Sequence, residues 1–251
     1  MCIGCRMRRA SDWALRVMHE AQGWRSNCFV TLTYARDCLP PDASLCHEDF
    51  QKFMKRVRKH FGGTVRFYMC GEYGPLNQRP HYHACLFNAD FVDRVEAGRS
   101  ESGEVFYRSA VLDKLWPHGR ASVQDLTEQT ASYTARYIMS KQLGINADYG
   151  VRRPEYNAMS LKPGIGAEWF KRYALSDVYA HDFVIQGGVK RRPPKYYDKL
   201  FKRSKNVKFD EIEFAREKRA KLSAADNTDE RRAVREQVHL AKVDTLKRNS
   251  A

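Results

Sequence analysis

Two histidines in the run HYHACLF, His81 and His83, are the first residues of this sequence whose type and spacing could do chemistry. On a β-strand, alternate side chains point to one face about 7 Å apart, so both imidazoles can share one metal ion. Upstream, Glu72 is followed by Gly74, Pro75 and Asn77, a turn-forming stretch that predicts a hairpin and brings the carboxylate to the same face. Two imidazoles and a carboxylate form a mixed nitrogen and oxygen set. Such a set suits Mg²⁺ or Mn²⁺ held with waters and a phosphate, and leaves positions open for a substrate oxygen. Zinc fits by ligand type, but a structural zinc site closes its shell with four protein ligands and only three are named here.

A second constellation lies in ASYTARYIMSK, where Tyr133, Tyr137 and Lys141 follow one another at i, i+4 and i+8. On a helix these three span about 80° of the surface, and Ala131, Ala135, Ile138 and Met139 gather on the other side. The tyrosines are therefore not simply the core stripe of that helix. A phenol with a pKa of about 10 is a poor nucleophile. A metal that neutralises a phosphodiester, together with an ammonium such as that of Lys141, makes its attack on phosphorus feasible. The product would be a phosphotyrosine ester that retains the energy of the broken bond.

The elements that must position these groups are legible in part. NCFVTLTY, residues 27–34, is a half-buried strand with Thr31 and Thr33 on one face and Val30, Leu32 and Tyr34 on the other. Phe50, Phe53, Met54, Val57 and Phe61 recur at helical spacing up to Gly62-Gly63 and predict an amphipathic helix packed on a sheet. VRFYMC, residues 65–70, is a second strand that returns through the turn as HYHACLF. Residues 98–103 read as a polar loop, followed by a helix through Leu112 and Leu115 to Trp116. Thr127 caps a helix to about Leu143, and a further helix starts near Ala167. Beyond Gly187-Gly188, KRRPPKYY reads as a basic linker and domain boundary. Two charged helices follow it, over roughly residues 210–223 and 229–246.

The chain has 251 residues, with 44 Lys and Arg against 30 Asp and Glu, a formal net charge of +14. Residues 190–251 hold 19 of those basic residues and 10 of the acidic ones, so the excess is concentrated at the C-terminus. Such a balance favours a polyanionic partner, nucleic acid first. No apolar run reaches the roughly 18 residues a membrane span needs. The start MCIGCRMRR lacks the apolar middle of a secretory signal, so the chain is expected to be soluble and cytoplasmic. Seven cysteines without repeating spacing argue against a disulfide framework. Cys2 and Cys5 would make half of a zinc site with Cys28, Cys38 or Cys46, although no second CxxC or CxxH completes it. No GxxxxGK[ST] loop is present, so ATP-driven unwinding must come from another protein.

Together FVTLTY, GEYG followed by RPHYHACLF, and YTARYIMSK resemble the three motifs of the HUH endonucleases, with Tyr82 as the hydrophobic residue between the histidines. More narrowly, CIGCRMRRASDWALR with GEYGPLNQRPHYHACLF is similar to the replication initiation proteins of the Microviridae, small single-stranded DNA phages, and of their gokushovirus branch. The resemblance spans roughly residues 2–190.

It implies an α+β fold, a central antiparallel sheet of about five strands covered by helices, to which the sequence adds a basic helical C-terminal extension. Residues 1–188 would be the nicking and joining domain, and residues 189–251 a basic linker and tail that contacts DNA. The activity implied is rolling-circle initiation, in which a tyrosine nicks the origin of the replicative form, stays on the 5′ phosphate and later rejoins the strand. Residue by residue, His81, His83 and Glu72 match the metal ligands, and Tyr133 and Tyr137 match the paired nucleophiles. Related helices often carry Lys immediately before the second tyrosine. Here Arg136 stands there, placed to contact a phosphate, and Lys141 would supply the ammonium. Arg191 and Arg192 are further DNA contacts. The implied partners are single-stranded and origin DNA with a host helicase and polymerase, in the cytoplasm of the bacterial host and with no membrane.

The histidine-triad hydrolases need a third alternating histidine where this chain has Cys85, and phosphodiesterases with HxT or HxS signatures also fail. A plasmid initiator, transposase or relaxase of the HUH class would share the chemistry. The non-catalytic alternative is a single-stranded DNA binder that uses Tyr68, Tyr82 and Phe87 as stacking platforms.

Overall fold

In a computed structural model the described residues are 2–74, 77–100, 103–140 and 149–248, with the backbone alone described at 137–140 and 246–248. The chain opens with α1 (Ile3–Ala21), β1 (Asn27–Tyr34), α2 (His47–Phe61), β2 (Arg66–Tyr73) and β3 (Pro80–Phe87). It continues through β4 (Val95–Arg99), β5 (Val105–Arg108), α3 (Ala110–Leu115), β6 (Gly119–Asp125) and α4 (Glu128–Ser140). Then come β7 (Tyr156–Met159), α5 (Ala167–Tyr173), α6 (Tyr179–His181), β8 (Val184–Gln186) and β9 (Val189–Arg191). Three helices close the chain: α7 (Lys195–Arg203), α8 (Lys208–Leu222) and α9 (Asp229–Arg248).

The expected α+β architecture is present, but the central sheet has seven strands rather than about five, in the order β4-β5-β6-β1-β3-β2-β7 with antiparallel neighbours. The additional strands lie toward the edges. β4 and β5 form a hairpin where the sequence reads as a polar loop, because VEAGR carries no apolar alternation and Val95 faces solvent. A register shift between Glu96 and Gly98 further blurs its period of two. β7 is only four residues long and half-buried throughout.

Strand alternation divides the sheet into two faces. Val30, Leu32, Tyr34, Met69, Tyr82, Ala84 and Leu86 share a core with Phe50, Phe53, Met54 and Val57 of α2 and with Leu112 and Leu115 of α3. On the opposite face, Phe29, Tyr68, Cys85 and Phe87 pack under α1 and α4. There Ala10 and Ala14 of α1 share a core cluster with Ala131 and Ala135 of α4, small side chains at i,i+4 that let two helices approach closely over the sheet. α1 has no counterpart in the sequence reading. Its apolar stripe is thin, and an arginine, Arg16, is among its buried residues. That guanidinium lies over the rings of Trp13 and Tyr196, each 3.9 Å from it.

The chain does not come free after Gly188. Gly187 and Gly188, at φ 55° and 75°, turn β8 into β9 as a two-residue hairpin, for which glycine is the least strained choice. Pro193 and Pro194 of the expected linker are buried. Tyr197 and Phe201 of α7, with Phe209 and Ile212 of α8, share a core with Leu15 of α1 and with Phe170, Tyr179 and Val184. Only the later part of α8 and all of α9 are dominated by exposed residues.

This third core carries a pH sensitivity. His19 is 1% exposed, its ring stacked 3.5 Å from that of Trp169 and its Nδ1 2.8 Å from the Tyr197 hydroxyl. Burial pushes its pKa from 6.5 down to about 3. The unfolded chain therefore binds a proton at His19 that the folded chain refuses. The stabilising contribution is complete above about 6.5 and is lost as pH falls toward 3, approaching about 1.4 kcal/mol per pH unit. Thermal unfolding between pH 7 and 4 should show a falling midpoint, with a shallower fall in His19→Gln. Equal pH slopes in parent and variant would refute this assignment.

Candidate functional site

Cross-strand register assembles the site. In the β2–β3 pair Glu72 stands opposite His81 and Cys70 opposite His83, and in the β1–β3 pair Thr31 stands opposite His83. All these side chains project to the sheet face beneath α1 and α4. His81 Nε2 and His83 Nε2 each lie 2.8 Å from Glu72 Oε1. One ligand atom from each of the three residues falls within 4.8 Å of the others. Glu72 is 2% exposed and His83 7%, and His81 is half-buried.

The hydrogen bonding of this trio is lopsided. Glu72 Oε1 serves both imidazoles and also accepts from the Tyr133 hydroxyl at 3.4 Å, while the buried Oε2 has no partner. Thr31 Oγ1 is 3.0 Å from His83 Nδ1. With Nδ1–H donating to it, the tautomer is fixed with the Nε2 lone pair toward the carboxylate. Lone pairs 2.8 Å apart need a proton or a cation between them. An orphaned carboxylate oxygen and two imidazoles so placed fit a divalent cation. Burial opposes the Glu72 charge, but the charge of His83, the hydrogen bonds from His81 and His83 and the charge of His81 outweigh it and hold the carboxyl below its ordinary value.

Tyr133 reaches this centre from α4, whose N-terminus is capped by Thr127 Oγ1 accepting from the Thr130 amide at 3.3 Å. Its ring meets the His83 ring edge-on at 5.0 Å and that of Phe29 at 6.4 Å. Burial and then the Glu72 charge push its phenol well above the usual value. Ala131 and Ala135 form the buried stripe of the helix, as the sequence pattern requires. Arg136, half-buried one turn after Tyr133, is held below the ordinary guanidinium value by burial, against the opposing effect of Tyr133. Tyr137 lies in α4, but its side chain is outside the described residues, and so is Lys141 altogether.

Arg136 and Arg191 line a cleft of about 210 Å³ between α1 and α4, with Met7, Ser11 and Ser132. Arg191 is ion-paired there with Glu128 in the first turn of α4. Arg192 is exposed and faces a neighbouring cleft. Tyr68, Tyr82 and Phe87 are fully buried, so none of them is a surface on which a base can stack. Among the described residues, Glu72, His81 and His83 form the one group of His, Cys, Asp and Glu close enough to hold a metal, and Cys2 and Cys5 find no completing ligands.

Residue types and spacing alone do not single out Phe29, Thr31 and Gly74 as members of the site. Alternation puts Thr31 on the correct face, but its partner depends on register, which one strand does not reveal. At Gly74 an added Cβ would stand 2.9 Å from His81 Cε1. Gly74→Ala is therefore expected to push the imidazole off Glu72 and weaken Mn²⁺ binding by about tenfold in calorimetry. Unchanged affinity would show that the close approach is unimportant.

Comparison with known proteins agrees with this geometry. A family model for Replication-associated protein ORF2 matches residues 27–143, a span that runs from β1 through the tyrosine helix. Replication-associated protein ORF2 of Spiroplasma virus 4 is 31% identical over 235 residues, covering 88% of this chain and 72% of its own. Replication-associated protein VP4 of Bdellovibrio phage phiMH2K is 32% identical over 220 residues, 84% and 69% of the two chains. Replication-associated protein ORF4 of Chlamydia phage 1 is 27% identical over 221 residues, 83% and 55%. No solved structure matches. The chain belongs to this family of phage replication-associated proteins, and the resemblance read from its motifs is borne out at that level. No helix among the described residues is long and apolar enough to cross a membrane.

Proposed function

We propose that this chain is the rolling-circle replication initiator of a single-stranded DNA phage, an HUH-type endonuclease that nicks and rejoins one strand at the origin of the replicative form. The observation that carries this reading is the convergence of Glu72, His81 and His83 on one point, with Glu72 Oε2 unpartnered and the Tyr133 hydroxyl 3.4 Å from Oε1. Mg²⁺ or Mn²⁺ held there would neutralise the scissile phosphodiester and offset the carboxylate charge that keeps the phenol protonated.

Tyr133 then attacks phosphorus as its proton leaves along the hydrogen bond to Glu72. The bond from phosphorus to the 3′ oxygen breaks, that oxygen takes up a proton as a 3′ hydroxyl, and the 5′ phosphate remains on the tyrosine. Arg136 offers a guanidinium to the phosphate from the same helix, and Lys141 an ammonium. Tyr137, one turn further on, accepts the strand in the second cut, so that the first 3′ hydroxyl can be rejoined. Residues 1–188 carry this chemistry. Residues 189–251, beginning with Arg191 and Arg192, contribute contacts to phosphate. The free 3′ hydroxyl suits a host polymerase, and the missing ATP-binding loop calls for a host helicase, both in the bacterial cytoplasm.

The test is scission of single-stranded fragments of the origin region with Mn²⁺ or Mg²⁺, expected to stop on chelation and return on readdition. Scission that persists after chelation would exclude the metal-dependent reading.

A further inference from the structure

A second basic site lies on the C-terminal side of α1. A cleft of about 430 Å³ is lined by Arg8, Arg192, Arg216, Arg219 and Arg235 with one carboxylate, Asp182. The five arginines come from α1, the segment after β9, α8 and α9, so tertiary folding rather than a run of sequence gathers them. Asp182 is shared: Arg216 donates to it at 3.0 Å and Arg219 also pairs with it. Arg216 is further held by Asp198 at 3.0 Å, and Arg235 donates to Asn227 Oδ1 at 2.9 Å. Arg8 and Arg192 make no ion pair or side-chain hydrogen bond with any described residue. Two free guanidiniums in a partly enclosed arginine cleft repel one another until an anion enters, and the planar forks match phosphate oxygens.

This cleft is continuous with the one beside the tyrosine helix. Arg191 lines the inner cleft and Arg192 the outer. On α1, Met7 and Ser11 line the inner cleft and Arg8 the outer. From Arg136, one turn after Tyr133, guanidiniums therefore lead without a break to α8 and α9. No aromatic side chain lines the outer cleft, so it has nothing on which to stack a base. α9 leaves Val234, Val238 and Leu240 about half exposed, and so has little apolar hold on the body of the protein.

We infer that the Arg8–Arg192 cleft holds the phosphates of the DNA strand that runs past Tyr133, a sequence-independent grip that also ties α9 to α1. This rests on the nicking reading for what lies at the inner end of the track, but it is tested separately. The probe is an oligothymidylate of about 25 nucleotides, its affinity followed by fluorescence anisotropy over about 50 to 200 mM salt. Each phosphate of a single strand that goes unneutralised takes about 0.7 from the slope of log affinity on log salt. Arg8→Gln with Arg192→Gln is therefore expected to lower the slope by about 1.4. Lys59→Gln with Lys171→Gln, which removes the same charge from exposed positions elsewhere, should leave the slope unchanged.

An unaltered slope in the arginine pair would overturn the proposal, and so would an equal change in the lysine pair. Stabilisation of the parent but not the arginine variant by inorganic phosphate, with the slope unaltered, would make this a small-anion site and overturn the DNA assignment. If the parent fails to cut DNA with Mn²⁺ while the slope result holds, the nicking reading falls and the cleft stands. Cutting by the parent with no slope change leaves the nicking reading and removes the cleft.

Discussion

Replacing His83 with alanine is expected to reduce metal-dependent scission by about a thousandfold or more, because the cation contributes several kcal/mol of charge stabilisation. His83 supplies one of the three ligand atoms and is itself held on both sides, by Thr31 at Nδ1 and by the ring of Phe29 at 5.7 Å. Its loss leaves Glu72 buried with His81 as its remaining imidazole. The clean comparison is therefore the thermal midpoint with and without Mn²⁺. At about a hundred times its dissociation constant a cation that binds only the folded state stabilises by about 2.7 kcal/mol, or about 5 to 10 °C in a chain of this size. The parent should show that shift and His83→Ala should not. A variant that cuts as well as the parent, or keeps the shift, removes this imidazole from the metal centre.

Tyr133→Phe is expected to abolish formation of a covalent protein–DNA product at the first nick, a fall of at least about a thousandfold, with little change in the fold. Phenylalanine keeps the edge-on contacts with His83 and Phe29 and the packing of α4 on the sheet. It removes only the hydroxyl that donates to Glu72. Restored nicking through Tyr137 alone would move the first cut to the second tyrosine. Nicking with no covalent product in either protein would mean that water is the nucleophile.

Much of the site is legible in the sequence because its residues sit on strands whose spacing fixes their direction. His81 and His83 at i and i+2 have to share a face, and the turn formers after Glu72 make a hairpin that sets Glu72 opposite His81. The tyrosine helix is legible from a buried stripe at Ala131 and Ala135 that excludes Tyr133. What escapes depends on partners far away in sequence. Thr31 meets His83 only through the β1–β3 register, and the edge strands β4 and β7 carry too few buried residues to show a period. The segment 189–212 reads as linker and solvated helix because Lys and Arg outnumber its aromatics. Yet Tyr197, Phe201 and Phe209 each insert into the third core, and such snorkelling charge with buried rings leaves composition uninformative. Arg191, expected at DNA, is first of all the partner of Glu128.

The central claim is that a tyrosine beside the Glu72–His81–His83 centre becomes joined to DNA. The most direct measurement incubates the protein with Mn²⁺ and single-stranded fragments of the origin region, denatures it, and maps nucleotide adducts by mass spectrometry. The account predicts an adduct on Tyr133, absent without the metal and absent in His83→Ala. Cut strands ending in a free 5′ phosphate, with Tyr133 and Tyr137 both unmodified, would contradict it.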